Sequence, residues 1–208
     1  MGNSFLIIFA TENCDAILQA WYPGMMGGTA VAEVLYGKYN PGGKLPVTFY
    51  RNSEQLPDFE NYDMKGRTYR YISDDTALFP FGHGLSYTTF NVGTASLSSS
   101  SLSAGGQSEI KVTIPVENTG KMDGTEIVQL YVRNPQDPEG PVMQLRGFER
   151  VNVKAGQTAN AVIVLNAKSF EWFDEQSNTV HTKAGTYEIL YGNSSAKNSL
   201  KSATVEVK

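Results

Sequence analysis

The sequence predicts an α+β composite fold, in which a partial α/β unit is followed by an antiparallel β-sandwich. Two observations predict it. Before residue 91, apolar runs mix with one helical pattern and dense Gly/Pro turns, whereas later residues form short runs of alternating apolar and polar side chains. A period of two is typical of half-buried strands, and a period near 3.6 is typical of helices. We therefore expect two units, over residues 1–90 and 91–208.

The first unit carries a strand–turn–helix–turn–strand pattern. Residues 16–22 are a short apolar run before a Pro-Gly turn, which predicts a buried strand. Residues 29–36 place apolar side chains on one helical face, and Gly37 predicts the end of that helix. Residues 45–49 predict a further strand. This βαβ-like pattern indicates the remnant of a three-layer α/β sandwich.

The rest of the first unit is predicted to be a linker. Residues 52–65 have little periodicity and predict a loop, and residues 67–71 predict a short extended aromatic segment. Residues 79–87 are rich in Gly and Pro and predict a fixed loop.

The second unit predicts strands at even spacing. A strand end and a short connector are expected over residues 96–103, and a single helical turn over Ala167–Phe170. Period-2 runs separated by Gly, Asn, Asp and Ser turns predict strands around residues 110–116, 128–132, 162–164, 187–191 and 203–207. Such a series favours an antiparallel β-sandwich.

Composition argues against several function classes. The formal net charge of −4 disfavours nucleic acid, which needs a basic surface. No apolar run approaches the ~20 residues that span a bilayer, so no membrane partner is expected. One cysteine and two histidines form no metal-ligand spacing. No phosphate loop and no G-x-S-x-G turn is present, and no cofactor is expected.

Several ordered motifs carry a family resemblance. In the first unit they are A-I-L-Q-A-W-Y-P-G-M-M-G-G (16–28), N-P-G-G-K-L-P-V-T-F (40–49) and F-P-F-G-H-G-L-S-Y-T-T-F (79–90). They resemble the C-terminal α/β-sandwich domain of family 3 glycoside hydrolases, and Y-D-M-K-G-R-T-Y-R-Y (62–71) looks most like the β-xylosidase branch. In the second unit, E-I-V-Q-L-Y-V (126–132), Q-L-R-G-F-E-R (144–150), A-G-T-Y-E-I (184–189) and Y-G-N-S-S (191–195) resemble the family's fibronectin type III-like domain, a sandwich of immunoglobulin-like type.

The resemblance implies a retaining, exo-acting β-xylosidase or β-glucosidase that removes terminal β-linked sugars in plant polysaccharide breakdown. Such hydrolysis uses two carboxylates about 5 Å apart. In the family, the nucleophilic Asp lies in an N-terminal (β/α)8 barrel and the acid/base Glu lies upstream of the Trp-Tyr-Pro-Gly segment. Neither position is expected within this sequence. The resemblance thus implies a scaffolding piece without catalytic residues, whose partners are the missing barrel and a β-linked oligosaccharide, in a periplasmic or secreted bacterial parent.

Candidates for the substrate side of such an enzyme are Tyr62, Tyr69, Arg70 and Tyr71, because Arg donors and aromatic faces suit hydroxyl-rich ligands. The simpler interpretation is an aromatic strap that packs the linker onto both units. Trp172 and Phe173 could form a carbohydrate platform in the sandwich, but a buried edge position is the simpler expectation for both. Trp21 and Tyr22 are expected in the core of the first unit.

The remaining carboxylates of the first unit are expected to have structural roles. Glu33 is placed on the solvated side of its helix, and Asp74-Asp75 is predicted to be a charged turn. The set considered as a substitute catalytic pair comprises Glu12, Glu33, Asp58, Glu60, Asp63, Asp74 and Asp75.

Two alternatives to an enzyme portion remain open, a free-standing carbohydrate-binding module and a purely structural or interaction domain. An incomplete α/β unit is also expected to expose apolar area and to self-associate.

Overall fold

The computed structural model describes residues 4–72, 76–174 and 177–208, so the turn predicted at Asp74-Asp75 lies outside the described residues. The helices are α1 (Ser4–Asn13), α2 (Gly27–Leu35) and α3 (Thr68–Tyr71), with 3-10 turns at Ser53–Gln55, Ala167–Phe170 and Lys197–Ser199. The strands of the first unit and its border are β1 (Phe49–Tyr50), β2 (Ala77–Phe79), β3 (Phe90–Val92), β4 (Ser96–Leu97) and β5 (Ser101–Leu102). The later strands are β6 (Ile110–Asn118), β7 (Gly124–Arg133), β8 (Gln144–Val153), β9 (Thr158–Leu165), β10 (Glu171–Asp174), β11 (Thr179–Thr182), β12 (Gly185–Gly192) and β13 (Lys201–Val207).

The strands after residue 89 form a β-sandwich, except that β10 and β11 pair with each other as a separate hairpin. One sheet has five strands in the order β5-β13-β12-β7-β8. In the other sheet, β6 pairs with β9 along one edge and with β3 and β4 along its other edge. All of these pairings are antiparallel except β13 with β5. The predicted α+β composite with a sandwich after the α/β part is therefore confirmed, as is the helical turn Ala167–Phe170.

The core of the sandwich follows from the period-2 pattern. Alternate residues of β6 are buried. They lie beside the inward residues of β9 in the same sheet and face those of β7, β12 and β13 in the other sheet. Phe170 and Tyr187 close the core with an edge-to-face contact at 5.2 Å between ring centroids. Burial of apolar surface of this kind contributes about 25 cal/mol per Å2 and dominates the stability of the domain.

Strand β7 is buried on both faces, which sets it apart from the other strands. Val128, Leu130 and Val132 face the core. The intervening Gln129 and Tyr131 are also buried, because residues of the first unit cover the outer face of this strand. The sandwich therefore has one face that is completed by the preceding unit.

The strand predicted over residues 16–22 is wrong. These residues are exposed and form no strand, and Trp21 has a left-handed φ of 54° that interrupts an extended chain. Tyr22 is 91% exposed, so the expectation of a core position for Trp21 and Tyr22 is also wrong. An apolar run becomes a buried strand only where a neighbouring strand pairs with it, and the described residues supply none here.

Helix α2 confirms the predicted helix within two residues of its expected start. The helix ends in a Schellman motif. The N–H of Gly37 donates to the backbone carbonyl of Val34 at 2.9 Å, and the N–H of Lys38 donates to the backbone carbonyl of Glu33 at 2.8 Å. Gly37 has a φ of 69°, which glycine adopts without steric cost. Glu33 is exposed, as expected.

Other local predictions fail where the pattern is short. The strand expected over residues 45–49 is reduced to β1, which pairs with β2. The aromatic segment expected to be extended instead forms the single helical turn α3. Strand β8 has no regular burial alternation, so periodicity could not find it.

No helix of the described residues is long and apolar enough to cross a membrane.

Candidate functional site at the linker and the sandwich

Two segments of the first unit, residues 40–45 and 79–88, pack together against the outer face of β7, and we call them the clasp. The N–H of Leu45 donates to the backbone carbonyl of His83 at 2.8 Å, and the N–H of Gly82 donates to the backbone carbonyl of Leu45 at 2.7 Å. Gly82 has a φ of 78°, and a side chain there would lie 1.9 Å from Oε1 of Gln129. Only glycine therefore allows this close approach.

A buried ion pair joins the clasp to β7. The Nζ atom of Lys44 lies 2.8 Å from Oε1 of Glu126, and the two side chains are only 10% and 5% exposed. Nζ also donates to the carbonyl of Gly84 at 2.9 Å, while Glu126 accepts from the N–H of Ile127 at 2.8 Å. Buried charges need such additional hydrogen bonds to offset their desolvation.

Gln129 is the polar centre of this contact. Its Nε2 donates to the carbonyls of Gly82 at 3.2 Å and Asn193 at 2.9 Å. Its Oε1 accepts from the hydroxyl of Tyr131. Burial, followed by the nearby Tyr69, raises the pKa of Tyr131, so this hydroxyl remains protonated as a donor.

His83 shares the environment of the clasp. Burial, followed by the positive charge of Lys44, lowers the pKa of His83 below its ordinary value of 6.5. The ring is therefore neutral at pH 7, and it stacks on Phe79 with 5.2 Å between centroids. No cluster of His, Cys, Asp or Glu within the described part of the chain could hold a metal ion.

Tyr69, one of the predicted site residues, packs onto the sandwich. Its ring stacks on Phe81 at 4.4 Å and meets Tyr131 edge-on at 5.7 Å. Its hydroxyl accepts from the N–H of Leu145 at 3.1 Å. These contacts fasten the helical turn α3 to the five-stranded sheet.

Arg70 and Tyr71 follow Tyr69 on α3, but their contacts differ from those of Tyr69. Arg70 is exposed, and its carbonyl accepts from the N–H of Val142 at 2.6 Å. Tyr71 lines a cleft of 240 Å3 together with Lys65, Gly66, Pro138, Glu139, Gly140 and Val142. Lys65 and Glu139 form an exposed ion pair at 2.7 Å, and the hydrogen bond from Lys65 lowers the pKa of Glu139.

Tyr62, the fourth predicted site residue, lies apart from the other three on a loop that we call the 58–67 loop. Arg67 closes this loop through backbone carbonyls: its Nε donates to Asp63 at 2.9 Å, and its Nη2 donates to Asp58 at 3.4 Å and to Asn61. Tyr62 is 90% exposed. The structure therefore presents Tyr62 to solvent.

Arg146 and Trp172 form a second buried contact, in the sandwich. The guanidinium lies 5.7 Å from the indole centroid and donates to the carbonyl of Glu171. Burial, followed by the charge of Arg70, lowers the pKa of Arg146. Trp172 is 3% exposed, so its expected buried position is confirmed and its ring is closed to a sugar face. Phe173, the next residue of β10, is 53% exposed, so the buried position expected for it is wrong.

Large exposed apolar side chains are concentrated before residue 57, and we call them the apolar surface. They are Phe9, Ile17, Leu18, Trp21, Tyr22, Met25, Met26, Leu35, Tyr36, Tyr39, Val47 and Leu56. The exposure of apolar side chains that was predicted for the first unit is thus observed.

Sequence reasoning missed the residues that build the clasp and the 58–67 loop. Lys44 and Glu126 stand inside the quoted motifs, but nothing in the sequence joins positions 82 residues apart. Arg67 likewise stands in Y-D-M-K-G-R-T-Y-R-Y. No side-chain pattern could have signalled its role, because the carbonyls that Arg67 binds belong to the backbone and every residue carries one.

Comparison with known proteins gives a consistent result. Residues 2–87 match the model of the glycosyl hydrolase family 3 C-terminal domain, and residues 126–195 match that of the fibronectin type III-like domain. A xylan 1,4-beta-xylosidase of Xylanibacter ruminicola is 57% identical over 98% of this chain, which covers 23% of that enzyme. A beta-xylosidase of Formosa agariphila is 40% identical over 100% of this chain, which covers 29% of that relative.

Solved structures agree. A β-glucosidase of Erythrobacter marinus superposes with a TM-score of 0.81 at 36% identity over 97% of this chain and 26% of its own length. The β-glucosidase of Listeria innocua superposes with a TM-score of 0.78 at 27% identity, over 95% of this chain and 28% of its own. This chain thus spans about a quarter of these relatives.

The fold, an α/β segment clasped onto a β-sandwich, is shared with these β-glucosidases. The chain belongs to glycoside hydrolase family 3, and it corresponds to the C-terminal α/β domain and the fibronectin type III-like domain of that family.

Proposed function

We propose that this chain is the scaffolding C-terminal portion of a retaining, exo-acting β-glycosidase, a β-xylosidase or β-glucosidase that removes terminal β-linked sugars from plant polysaccharides. The observation that carries the proposal is the 57% identity to a xylan 1,4-beta-xylosidase over 98% of the chain. The clasp fixes the first unit to the sandwich, and the apolar surface provides the area on which a barrel domain would pack. The division into units at residue 90 stays part of this proposal.

The placement of the carboxylates supports a scaffolding role without hydrolysis by this chain alone. Glu12, Glu33, Asp58, Glu60 and Asp63 all lie exposed. A retaining glycosidase holds two carboxyl groups about 5 Å apart across a sugar-sized pocket. Exposed carboxylates do not meet that requirement.

The alternative, a free-standing carbohydrate-binding module, depended on Trp172 and Phe173 as a platform. The burial of Trp172 leaves only Phe173 of this pair exposed, and stacking on a sugar needs an open aromatic face, so the platform is reduced to one ring. The scaffolding function is therefore the better supported of the two.

Exchange of segments between enzymes tests the proposal. The Xylanibacter xylosidase without the segment that matches this chain is expected to lose hydrolysis of 4-nitrophenyl β-xyloside, and this chain fused in its place is expected to restore it. The 208-residue chain by itself should show no turnover of aryl xylosides or glucosides. Turnover by the chain alone, or a folded but inactive fusion, would contradict the proposal.

We also propose that the apolar surface drives self-association when the chain is alone. Sedimentation velocity should show species larger than 22.8 kDa that dissociate as the protein is diluted. Replacing Tyr22 and Met25, which both belong to this surface, with serine should shift the population toward monomer. A strictly monomeric unaltered chain at high concentration would refute this proposal.

A further inference from the structure

We propose that the 58–67 loop is a saccharide-contacting loop, in which Tyr62 packs on a sugar ring and Arg67 is the positioning residue that holds the loop in shape. This inference rests on the proposed β-glycosidase function and deepens it by assigning substrate contacts within this chain.

The loop is preformed by its own hydrogen bonds. Besides the three carbonyls bound by Arg67, the Oδ1 of Asn61 accepts from the N–H of Asp63 at 2.8 Å. The Oδ1 of Asp63 then accepts from the N–H of Lys65 at 3.0 Å. A loop ordered in advance loses little conformational freedom on binding, so it gains affinity for its ligand.

The ordered loop presents two aromatic rings to solvent. Phe59 is 92% exposed and Tyr62 is 90% exposed. Neither ring gains packing energy in this position, so the loop's internal order is not accounted for by burial of its aromatic side chains. Rigid aromatic side chains on a preorganised loop are typical recognition anchors.

The base of the loop is anchored next to the apolar surface. The N–H of Thr68 donates to the hydroxyl of Tyr50 at 2.9 Å, and Thr68 has a φ of 56°, which is strained for a β-branched residue. The ring of Phe49, which precedes Tyr50 in β1, lies 6.5 Å from that of Trp21 on the apolar surface. The loop therefore lies beside the area on which the proposed barrel would pack.

The chemistry of the loop favours a neutral saccharide over a protein. Asp58 and Glu60 alternate with Phe59, and no hydrogen bond or ion pair within the described residues engages either carboxylate. A protein surface would desolvate these carboxylates at a cost of several kcal/mol unless it paired them. A pyranose instead offers hydroxyl donors to carboxylates and an apolar ring face to an aromatic side chain.

Tyr62 is tested in the fusion of this chain with the Xylanibacter enzyme. Tyr62→Ala is expected to raise KM for xylotriose about tenfold with kcat nearly unchanged, because the stacking contact is lost. Tyr62→Phe should keep the KM of the unaltered fusion. The matched control is Phe148→Ala, an aromatic residue of β8 that is 64% exposed, and it should leave both constants unchanged.

Arg67 is tested in the 208-residue chain itself. Arg67→Lys keeps the charge but loses the fork of donors, so trypsin should cleave after Lys65 about fivefold faster. Arg133→Lys, which alters an exposed pair with Glu188 at 3.3 Å on the sandwich, should not change that rate. In the fusion, Arg67→Lys should raise KM for xylotriose as Tyr62→Ala does.

The outcomes separate the two proposals. An unaltered fusion that folds but is inactive refutes the proposed function and this inference with it. An active fusion whose KM for xylotriose changes less than twofold in Tyr62→Ala overturns the inference alone. If Tyr62→Ala instead lowers the thermal midpoint of the fusion with KM unchanged, the loop contacts protein, and the saccharide assignment is wrong.

Discussion

Replacing Lys44 with methionine is expected to lower the free energy of unfolding by about 4 kcal/mol, because it leaves the buried Glu126 carboxylate without its counter-charge. The two groups are 2.8 Å apart and almost fully enclosed. Glu126 would keep only hydrogen bonds from Ile127 at 2.8 Å and Asn193 at 3.4 Å, both of which are weak compensation for a buried charge. The methionine itself fits the stem of the lysine, so lost packing adds little.

Equilibrium urea denaturation followed by circular dichroism measures this effect. Lys111→Met is the matched control, since Lys111 is exposed on β6, and it should change the unfolding free energy by no more than about 0.5 kcal/mol. The double variant Lys44→Met/Glu126→Leu should recover at least half of the loss, because both buried charges are then gone. A single variant as stable as the unaltered chain would show that the Lys44–Glu126 ion pair contributes nothing to stability.

Replacing Asn118 with alanine is expected to cost about 3 kcal/mol, because one buried amide serves four hydrogen bonds. Its Nδ2 donates to the carbonyls of Met122 at 2.8 Å and Val153 at 2.9 Å. Its Oδ1 accepts from the hydroxyl of Thr88 at 2.7 Å and from the N–H of Gly120 at 3.1 Å. The residue is fully buried, so water cannot replace these partners without rearrangement.

The same denaturation experiment applies, with Asn160→Ala on the exposed face of β9 as the control. Asn118→Asp sharpens the test, because it keeps an acceptor for Thr88 and Gly120 but loses both donors and buries a charge at pH 7. It should be at least as unstable as Asn118→Ala. A loss below about 1 kcal/mol in both variants would mean that the surrounding groups find other partners.

The sandwich was largely predictable from local pattern. Ile110, Val112, Ile114 and Val116 alternate with polar residues, and a strand with one buried face requires that alternation. Strand β8 escaped prediction for the opposite reason, since its exposure has no period of two. In β7, the pattern located the strand but gave no sign that its outer face is buried as well.

The first unit was predicted less well, because its elements depend on neighbours. Helix α2 was predictable, since Gly37 and the backbone of the last turn complete it locally. The apolar run over residues 16–22 has no such local completion, and it forms no strand among the described residues. An apolar run indicates that burial of its side chains is favourable, but it does not identify the element that would cover them.

The candidate site was likewise predictable only in part. The sequence pointed to Tyr62, Tyr69, Arg70 and Tyr71 as one group, and whether any of them contacts substrate stays a prediction. The structure separates them: Tyr69 holds the linker to β7, whereas Tyr62 stands on a loop shaped by Arg67.

By itself, the sequence determined the composite fold, the strands with regular alternation and the family of the chain, because period and ordered motifs are properties of neighbouring residues. Only the tertiary structure decided that Lys44 meets Glu126, that Gly82 admits Gln129, and that the apolar surface lies open. The first two are contacts between residues far apart in the chain, and the third is the absence of such contacts around the exposed apolar side chains of the described residues. Such contacts depend on how the units pack, which no local pattern encodes.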